Sequence, residues 1–122
     1  MSRIDQIEQL LKRLVALTPD LEGAILVTLD GLPIASALAG GTDEDRVAAM
    51  GAAALATGSR TVSELARGEL EQVLVKGSEG YIVHIAAGRE AVLMGISNGL
   101  AKLGMILFEM KSTAKELARE LA

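Results

Sequence analysis

Apolar residues occupy both alternating positions of the predicted strands, and this excludes a sheet with one face in water. Segment 24–29 reads AILVTL, and segment 91–97 reads AVLMGIS. Successive residues of a strand point to opposite faces of a sheet. Both faces of a sheet built from such strands must therefore be covered by other elements. The sequence predicts a sheet held between two helical layers.

The order of the predicted elements agrees with this three-layer arrangement. Hydrophobic periodicity and turn residues predict three helices and five strands: helices over about 3–17, 43–67 and from 99 onward, and strands over about 23–29, 33–38, 71–76, 81–87 and 91–97. Short connections within each group of strands require antiparallel neighbours. We expect a single α+β domain over residues 1–122.

The second predicted helix is unusual because small or apolar residues surround most of it. At 100° per residue, the predicted sheet-facing half carries Val47, Gly51, Leu55, Gly58, Val62 and Leu65. The opposite stripe carries Arg46, Ala49, Ala53, Thr57, Arg60 and Glu64, flanked by Met50, Ala52, Ala56 and Thr61. Such a helix is expected to be buried on more than one side, and a second subunit is the simplest cover. The alternative is an alanine-rich helix that reflects helix propensity alone.

Composition and charge narrow the function classes. The net charge is −4, and segment 20–45 holds six acids without a base. This segment either is a solvated end of the molecule or steers a basic partner. No basic stripe with aromatic residues occurs, which argues against nucleic-acid binding. The chain has no cysteine and does not begin with a signal-like apolar segment, and its uncharged helical stretch 47–59 is too short to span a bilayer. We therefore predict a soluble cytoplasmic protein without a membrane partner.

The residues offer no set for catalysis or metal binding. His84 is the only histidine, and it shares a predicted strand face with Ile82 and Ala86, so we interpret it as a packing residue. The run Asp43–Asp45 lacks the spacing of a calcium loop. We therefore expect a protein that is not an enzyme and that has no metal site and no cofactor.

Several motifs together resemble the roadblock family, also called dynein-light-chain roadblock domains, in a stand-alone form of the bacterial or archaeal type. These motifs are LVTLDGLPIAS, EQVLVKGSEGYIVHI, AVLMGIS and GLAKLGMILFEMKSTAKEL, with the alanine-rich helix between the first two. The resemblance implies a five-stranded antiparallel sheet covered by one helix on one face and two helices on the other. It also makes the second strand an edge, where Pro33 discourages strand addition.

The resemblance further implies a homodimer in which the third strand pairs with its twin and the second helices pack side by side. The residues expected at this interface are Met50, Gln72, Val73, Leu74 and Val75. The implied function is to bind a small Ras-like GTPase as a regulator or scaffold, and some relatives stimulate GTP hydrolysis. The residues expected to contact the GTPase are Arg46, Ala49, Ala53, Thr57, Arg60 and Glu64.

Two other functions stay open at this point. One is a constitutive dimerisation or adaptor subunit of a larger assembly, comparable to a dynein light chain, without dependence on a GTPase. The other is a small-molecule sensor with a pocket beside the sheet, although the strands offer few polar groups for such a site.

Overall fold

The computed structural model describes residues 2–122, which form three helices and five strands in the predicted order. The helices are α1 (Arg3–Leu17), α2 (Glu44–Glu64) and α3 (Leu103–Leu121). The strands are β1 (Leu21–Thr28), β2 (Pro33–Ala37), β3 (Gln72–Gly77), β4 (Gly80–Ala87) and β5 (Ala91–Ser97). The predicted α-ββ-α-βββ-α architecture is confirmed.

All five strands belong to one antiparallel sheet with the order β2-β1-β5-β4-β3. The two edges are therefore β2 and β3, as the resemblance implies. Pro33 opens β2 opposite Val27, and the pairing shifts by one residue after Leu26, so that Ile34 forms a bulge. Proline and a bulge both hinder the addition of another strand.

Helices cover both faces of the sheet, with a separate hydrophobic core on each side. On one face α1 packs against β1 and β2, and α3 packs against β4 and β5. The core on this side includes Leu11, Leu26, Leu93 and Met110. On the other face α2 lies alone over a smaller core that includes Ile25 and Leu55. The expected division of one helix and two helices is confirmed.

The ends of the helices agree only in part with the ends that sequence periodicity predicts. Ser2 and Asp5 form the predicted capping box of α1. The α2 helix ends at Glu64, three residues earlier than predicted, and the chain then turns through left-handed backbone at Ala66 and at Gly68. The predicted start of the last helix at Gly99 is wrong, because residues 98–102 form a turn before α3 begins.

The cause of this late start is the side chain of Asn98. Its Oδ1 atom accepts a hydrogen bond from the Leu100 amide at 2.8 Å, and its Nδ2 atom donates to Asp20 Oδ1 at 3.1 Å. Local side-chain hydrogen bonds of this kind compete with helix formation. The bond to Asp20 joins distant parts of the chain, so helical periodicity does not reveal it.

Candidate interaction surfaces

The α2 helix follows a single row of residues across the entire sheet. Strand register places these five residues side by side on the face that α2 covers: Ser36, Ile25, Met94, His84 and Val73, from β2 to β3. Each strand contributes one member. The row therefore connects the two edges of the sheet beneath one helix.

Three contacts mark the path of α2 along this row. Glu44 accepts a hydrogen bond from the serine hydroxyl at the β2 end. Gly51 lies so close to Met94 that a Cβ atom would overlap the methionine sulfur. At the β3 end, a Cβ atom on Gly58 would lie 2.7 Å from Val73 Cγ2. Glycine at these two positions thus allows the helix to approach the sheet.

These contacts recur every seven residues, and each interval crosses two strands. Seven helical residues rise about 10.5 Å, and two strand spacings measure about 9.6 Å. The helix therefore runs nearly perpendicular to the strands. The next position in the series is Leu65, about 10 Å further along the helix direction and past the edge strand β3.

The position of Leu65 corrects one sequence prediction. Helical projection places Leu65 on the sheet-facing half, but its side chain is 66% exposed because the sheet ends at β3. Ala48, which the helical projection did not select, is fully buried against the smaller core. The other predicted sheet-facing residues of α2 are buried or half-buried.

The outer face of α2 brings together the residues predicted to bind a partner. All six lie on one exposed stripe: Arg46, Ala49, Ala53, Thr57, Arg60 and Glu64. Charged groups stand toward the two ends, and small side chains occupy the middle. This face can accept a closely packed partner between its charged ends. The structure places these residues together, and their role stays a prediction.

One flank of α2 is continuous with an uncovered part of the sheet. Gly31 in the β1–β2 turn lies beside one flank, since a Cβ atom at this position would be 3.4 Å from Ala49 Cα and 3.6 Å from Ala52 Cβ. Helical geometry places Met50, Ala54, Thr57 and Thr61 toward the opposite flank. That flank borders the next cross-strand row, Val75, Ile82 and Ile96. Val75 is 47% exposed and Met50 is 56% exposed, so apolar surface extends from the helix onto the sheet.

The β3 edge presents main-chain groups as well as side chains. Ser78 and Glu79 form a two-residue turn, which makes Gly77 and Gly80 a hydrogen-bonded pair. Hydrogen-bonded and non-hydrogen-bonded pairs alternate along an antiparallel ladder. Leu74 therefore directs its N–H and C=O groups away from β4, toward the open side.

The side chains of β3 divide between the two faces of the sheet. Val73 and Val75 lie on the α2 face, whereas Gln72 and Leu74 lie on the face that α1 and α3 cover. Leu74 is 40% exposed. Together with Met50, these are the residues predicted for the dimer interface, and the structure places them at the open edge and on the neighbouring flank of α2.

His84 is buried beneath α2 as the β4 member of the row, next to Val73, as its predicted packing role requires. Its Nδ1–H donates a hydrogen bond to the Val73 carbonyl at 3.3 Å. Burial lowers the pKa of His84 from its ordinary 6.5, and the hydrogen bond to Val73 offsets only part of this effect. The imidazole is therefore neutral near pH 7. It lies in the row that α2 covers and is hydrogen-bonded to the main chain of β3.

The acids at the start of α2 have structural roles. Asp43 caps the helix by accepting a hydrogen bond from the Arg46 amide at 3.2 Å. Glu44 binds the β2 serine, and acids in the first turn suit the positive end of the helix dipole. Within residues 2–122, no group of three or more histidine, aspartate or glutamate side chains is placed to hold a metal ion. None of the helices in this range is suited in length and apolarity to cross a bilayer.

The element order and the sheet order define a class of small α+β domains with three layers. The chain belongs to the Roadblock/LC7 domain family, whose model matches residues 7–97. This confirms the family to which the sequence motifs point.

Similar proteins agree with this assignment. The chain is 36% identical over 100 residues to the uncharacterized protein MJ1340 of Methanocaldococcus jannaschii, and the alignment covers 82% of this chain and 87% of that protein. The gliding protein MglB of Thermus thermophilus superimposes with a TM-score of 0.87 at 19% identity, covering 98% of this chain and 91% of its own. A Roadblock/LC7 domain of Streptomyces avermitilis gives 0.88 at 22% identity, covering 93% and 96%. At these identities the structural likeness establishes the fold alone.

Proposed function

We propose that this protein is a homodimeric platform that binds a small Ras-like GTPase through paired α2 helices. The observation that carries the proposal is the extension of α2 past the sheet edge, beside an edge strand with free main-chain groups. Membership of the roadblock family supports the same function. The proposed dimer accounts for exposed apolar surface that one chain alone leaves in water.

Symmetry limits how two β3 strands can pair. A two-fold axis perpendicular to the sheet keeps each residue on its own face. Pairing centred on Leu74 therefore places Val73 opposite the partner subunit's Val75, and the row beneath α2 continues into the partner subunit's Ile82. Two strand spacings beyond β3, Leu65 then lies above this isoleucine. In this dimer, Leu65 of each chain would therefore cover the exposed row of Val75, Ile82 and Ile96 in the other chain.

The same register brings the two α2 helices side by side. Their underlying rows are offset by two strand residues, about 7 Å, which is slightly closer than the 8–10 Å usual for packed helices. Small residues permit this approach. The flanks that face each other carry Ala54, Thr57 and Thr61, together with Met50.

The GTPase surface is the pair of outer α2 faces exposed on this dimer. Arg46, Arg60 and Glu64 supply charged contacts around a small-residue centre, and this fits a protein surface better than a small ligand. The protein acts in this proposal by binding one nucleotide state of its partner more tightly than the other. A binding protein shifts a conformational equilibrium only by such a difference in affinity.

The first experiment measures the mass of the purified protein by light scattering and then uses the immobilised protein on cell lysate. The lysate is divided between GDP and a non-hydrolysable GTP analogue. We expect a dimer that retains a Ras-like GTPase in one nucleotide state. Arg60→Glu should weaken this binding about tenfold or more, since it reverses a contact charge. Arg89→Glu is the matched control, because Arg89 is an exposed turn residue outside α2.

Two results would change the proposal. A monomeric mass at micromolar concentration contradicts the dimer and therefore the platform. A dimer that retains the same partners in both nucleotide states, with no GTPase among them, contradicts the GTPase assignment. The protein would then be a constitutive dimerisation or adaptor subunit.

A further inference from the structure

The α3 helix carries a second stripe that does not face the core. Met110 and Leu117 point into the core, whereas Phe108 lies on the opposite side of the helix and is 72% exposed. Phe108 is the only phenylalanine in the chain. Helical spacing places Gly104, Leu107 and Lys111 on one flank of α3, between the outward side that carries Phe108 and the sheet.

This flank of α3 faces the β3 edge. Lys111 and Lys115 line a shallow groove with Ile85 and Ala86 of β4. The other flank faces α1, as the ion pair between Arg13 and Glu116 demonstrates. The flank with Leu107 and Lys111 is therefore turned toward the outer strands.

β3 forms the floor of the surface beside α3. Leu74 pairs with Val83, which belongs to the core beneath α1 and α3, so Leu74 points to this same side of the sheet. It is 40% exposed because α3 packs against β4 and β5. Lys76 lies two residues further along β3, with its Nζ atom 5.8 Å from the centre of the Tyr81 ring.

The charge of this surface is opposite to that of the whole chain. The chain carries a net charge of −4, but Lys111 and Lys115 lie along the α3 side of this surface and Lys76 lies on its β3 side. Glu116 and Glu120 line the cleft toward α1 on the far flank. The acids that flank β3 in the chain are Glu71, immediately before the strand, and Glu79, in the turn after it. An apolar strip with basic borders is complementary to an acidic amphipathic segment.

The proposed dimer would turn this surface into a symmetric groove. With α3 over β4 and β5, pairing of the β3 strands places the two α3 axes about four strand spacings apart, or about 19 Å. Packed helices lie about 8–10 Å apart, so one additional helix fits between them. The floor would carry Leu74 from both subunits, both walls would carry Leu107, and Phe108 would stand at the upper rim of each wall.

We propose that this groove binds one acidic amphipathic helix of a partner protein per dimer. The proposal rests on the homodimer proposed above and concerns the face of the sheet opposite the α2 pair. The apolar side of the bound helix contacts Leu74, Leu107 and Phe108. Its acidic borders pair with Lys76, Lys111 and Lys115. The platform thereby has one face for a GTPase and another for a helical anchor or scaffold.

The test uses a synthetic helical peptide of about 18 residues, which matches the length of α3 at 1.5 Å per residue. Leucines occupy one face of the peptide and glutamates border it. A second peptide keeps the leucines and replaces each glutamate by lysine. Calorimetry gives the affinity and the stoichiometry, and light scattering of the free protein gives its mass. We expect binding of the acidic peptide at one peptide per two chains.

Variants locate the binding surface. Phe108→Ala should weaken peptide binding about tenfold, and the double variant Lys76→Glu with Lys111→Glu should weaken it more strongly. Lys12→Glu is the matched control, because Lys12 is an exposed lysine on α1, outside the groove. The Lys12→Glu variant should bind the peptide as tightly as the unchanged chain does.

Several outcomes would overturn the inference. One is a dimer that binds no acidic peptide up to about 100 μM, the range of weak but specific affinities. Equal binding of the basic peptide, or one peptide per chain, also contradicts it. Binding of phosphatidylglycerol vesicles in place of the peptide would assign the surface to a membrane, and a tetramer abolished by Phe108→Ala would assign it to a second dimer. A monomeric free protein instead contradicts the proposed dimer itself.

Discussion

The two edge strands of the sheet differ in almost every property that controls strand addition. β2 has five residues, begins with a proline, contains a bulge and is contacted by α1 on one face and α2 on the other. β3 has six residues in continuous register with β4, and most of its residues are exposed. The β2 edge therefore combines a proline, a bulge and helices on both faces, whereas β3 has no proline and no bulge, and within residues 2–122 α2 is the one helix that packs against it.

The contrast indicates that the open β3 edge has a role in the fold and is not simply an edge that a small domain leaves uncovered. Natural sheets commonly protect both edges against unwanted pairing. In this chain the protection is confined to β2, and α2 extends past the unprotected edge β3. Changes at the two edges should therefore have unequal effects, and the following variants test that difference.

Leu74→Pro should produce the largest effect, the loss of the proposed dimer. The Leu74 N–H points to the open side, so proline removes a donor that the β3–β4 ladder does not use. We expect self-association to weaken about 100-fold or more, given two main-chain hydrogen bonds worth about 1 kcal/mol each and the bulk of the ring. Sedimentation equilibrium measures the change.

Leu74→Ala serves as the control for this variant, since it shortens the side chain and retains the N–H group. It should weaken the dimer less than proline does. Circular dichroism should show that both variants stay folded. A Leu74→Pro variant that stays folded and fully dimeric would exclude β3 from the interface.

Acid should destabilise the protein through His84, the β4 member of the row beneath α2. Burial lowers the pKa of His84 in the folded state, so between that pKa and 6.5 the unfolded chain binds more protons. The stabilising contribution is complete above pH 6.5 and decreases as the pH falls toward the folded-state pKa. The slope for one proton stays below about 1.4 kcal/mol per pH unit.

Denaturant unfolding from pH 8 to pH 5 measures this contribution against His84→Gln. The variant removes the titrating group, so its stability should depend less on pH in the range below 6.5. Carboxylates titrate in both proteins and cancel in the difference. Equal pH dependence of the two proteins would mean that His84 is solvated in the folded state.

Pro33→Thr should have the smallest effect. It restores a main-chain donor on β2, but the bulge at Ile34 and the covering helices still obstruct strand addition. We expect an unchanged mass and a change in unfolding free energy of no more than about 0.5 kcal/mol, as for an ordinary surface substitution. New oligomers in this variant, seen by light scattering, would identify proline as the principal protection of the β2 edge.

Local patterns predicted most of the fold because the spacing of apolar residues within each segment indicates whether that segment is a helix or a strand. Two-sided apolar strands required two helical layers, and the capping residues Ser2 and Asp5 marked the start of α1. The two edges of the sheet came from family resemblance and not from residue spacing. Helical projection also selected the exposed stripe of α2 that includes Arg60, because burial follows the angle around the helix axis.

One wrong prediction and two features that the sequence did not reveal depend on position along an axis more than on the angle around it. Leu65 has the angle of a buried residue, but the sheet ends before the helix does. The row of Val75, Ile82 and Ile96 consists of residues from three strands, so its exposure depends on strand register and on the path of α2. The position of Phe108 beside an open edge likewise depends on which strands α3 covers.

The seven-residue interval of α2 has a consequence for how this helix tolerates changes in length. Inserting one residue between Gly51 and Gly58 would rotate everything after it by about 100° and shift it by about 1.5 Å. Gly58 would then leave Val73, and a larger side chain would meet the strand in its place. Only a change of seven residues restores both the angle and a contact with alternate strands. Aligned relatives should therefore show gaps within α2 in multiples of seven, whereas the loops at 38–43 and 65–71 should vary in length freely.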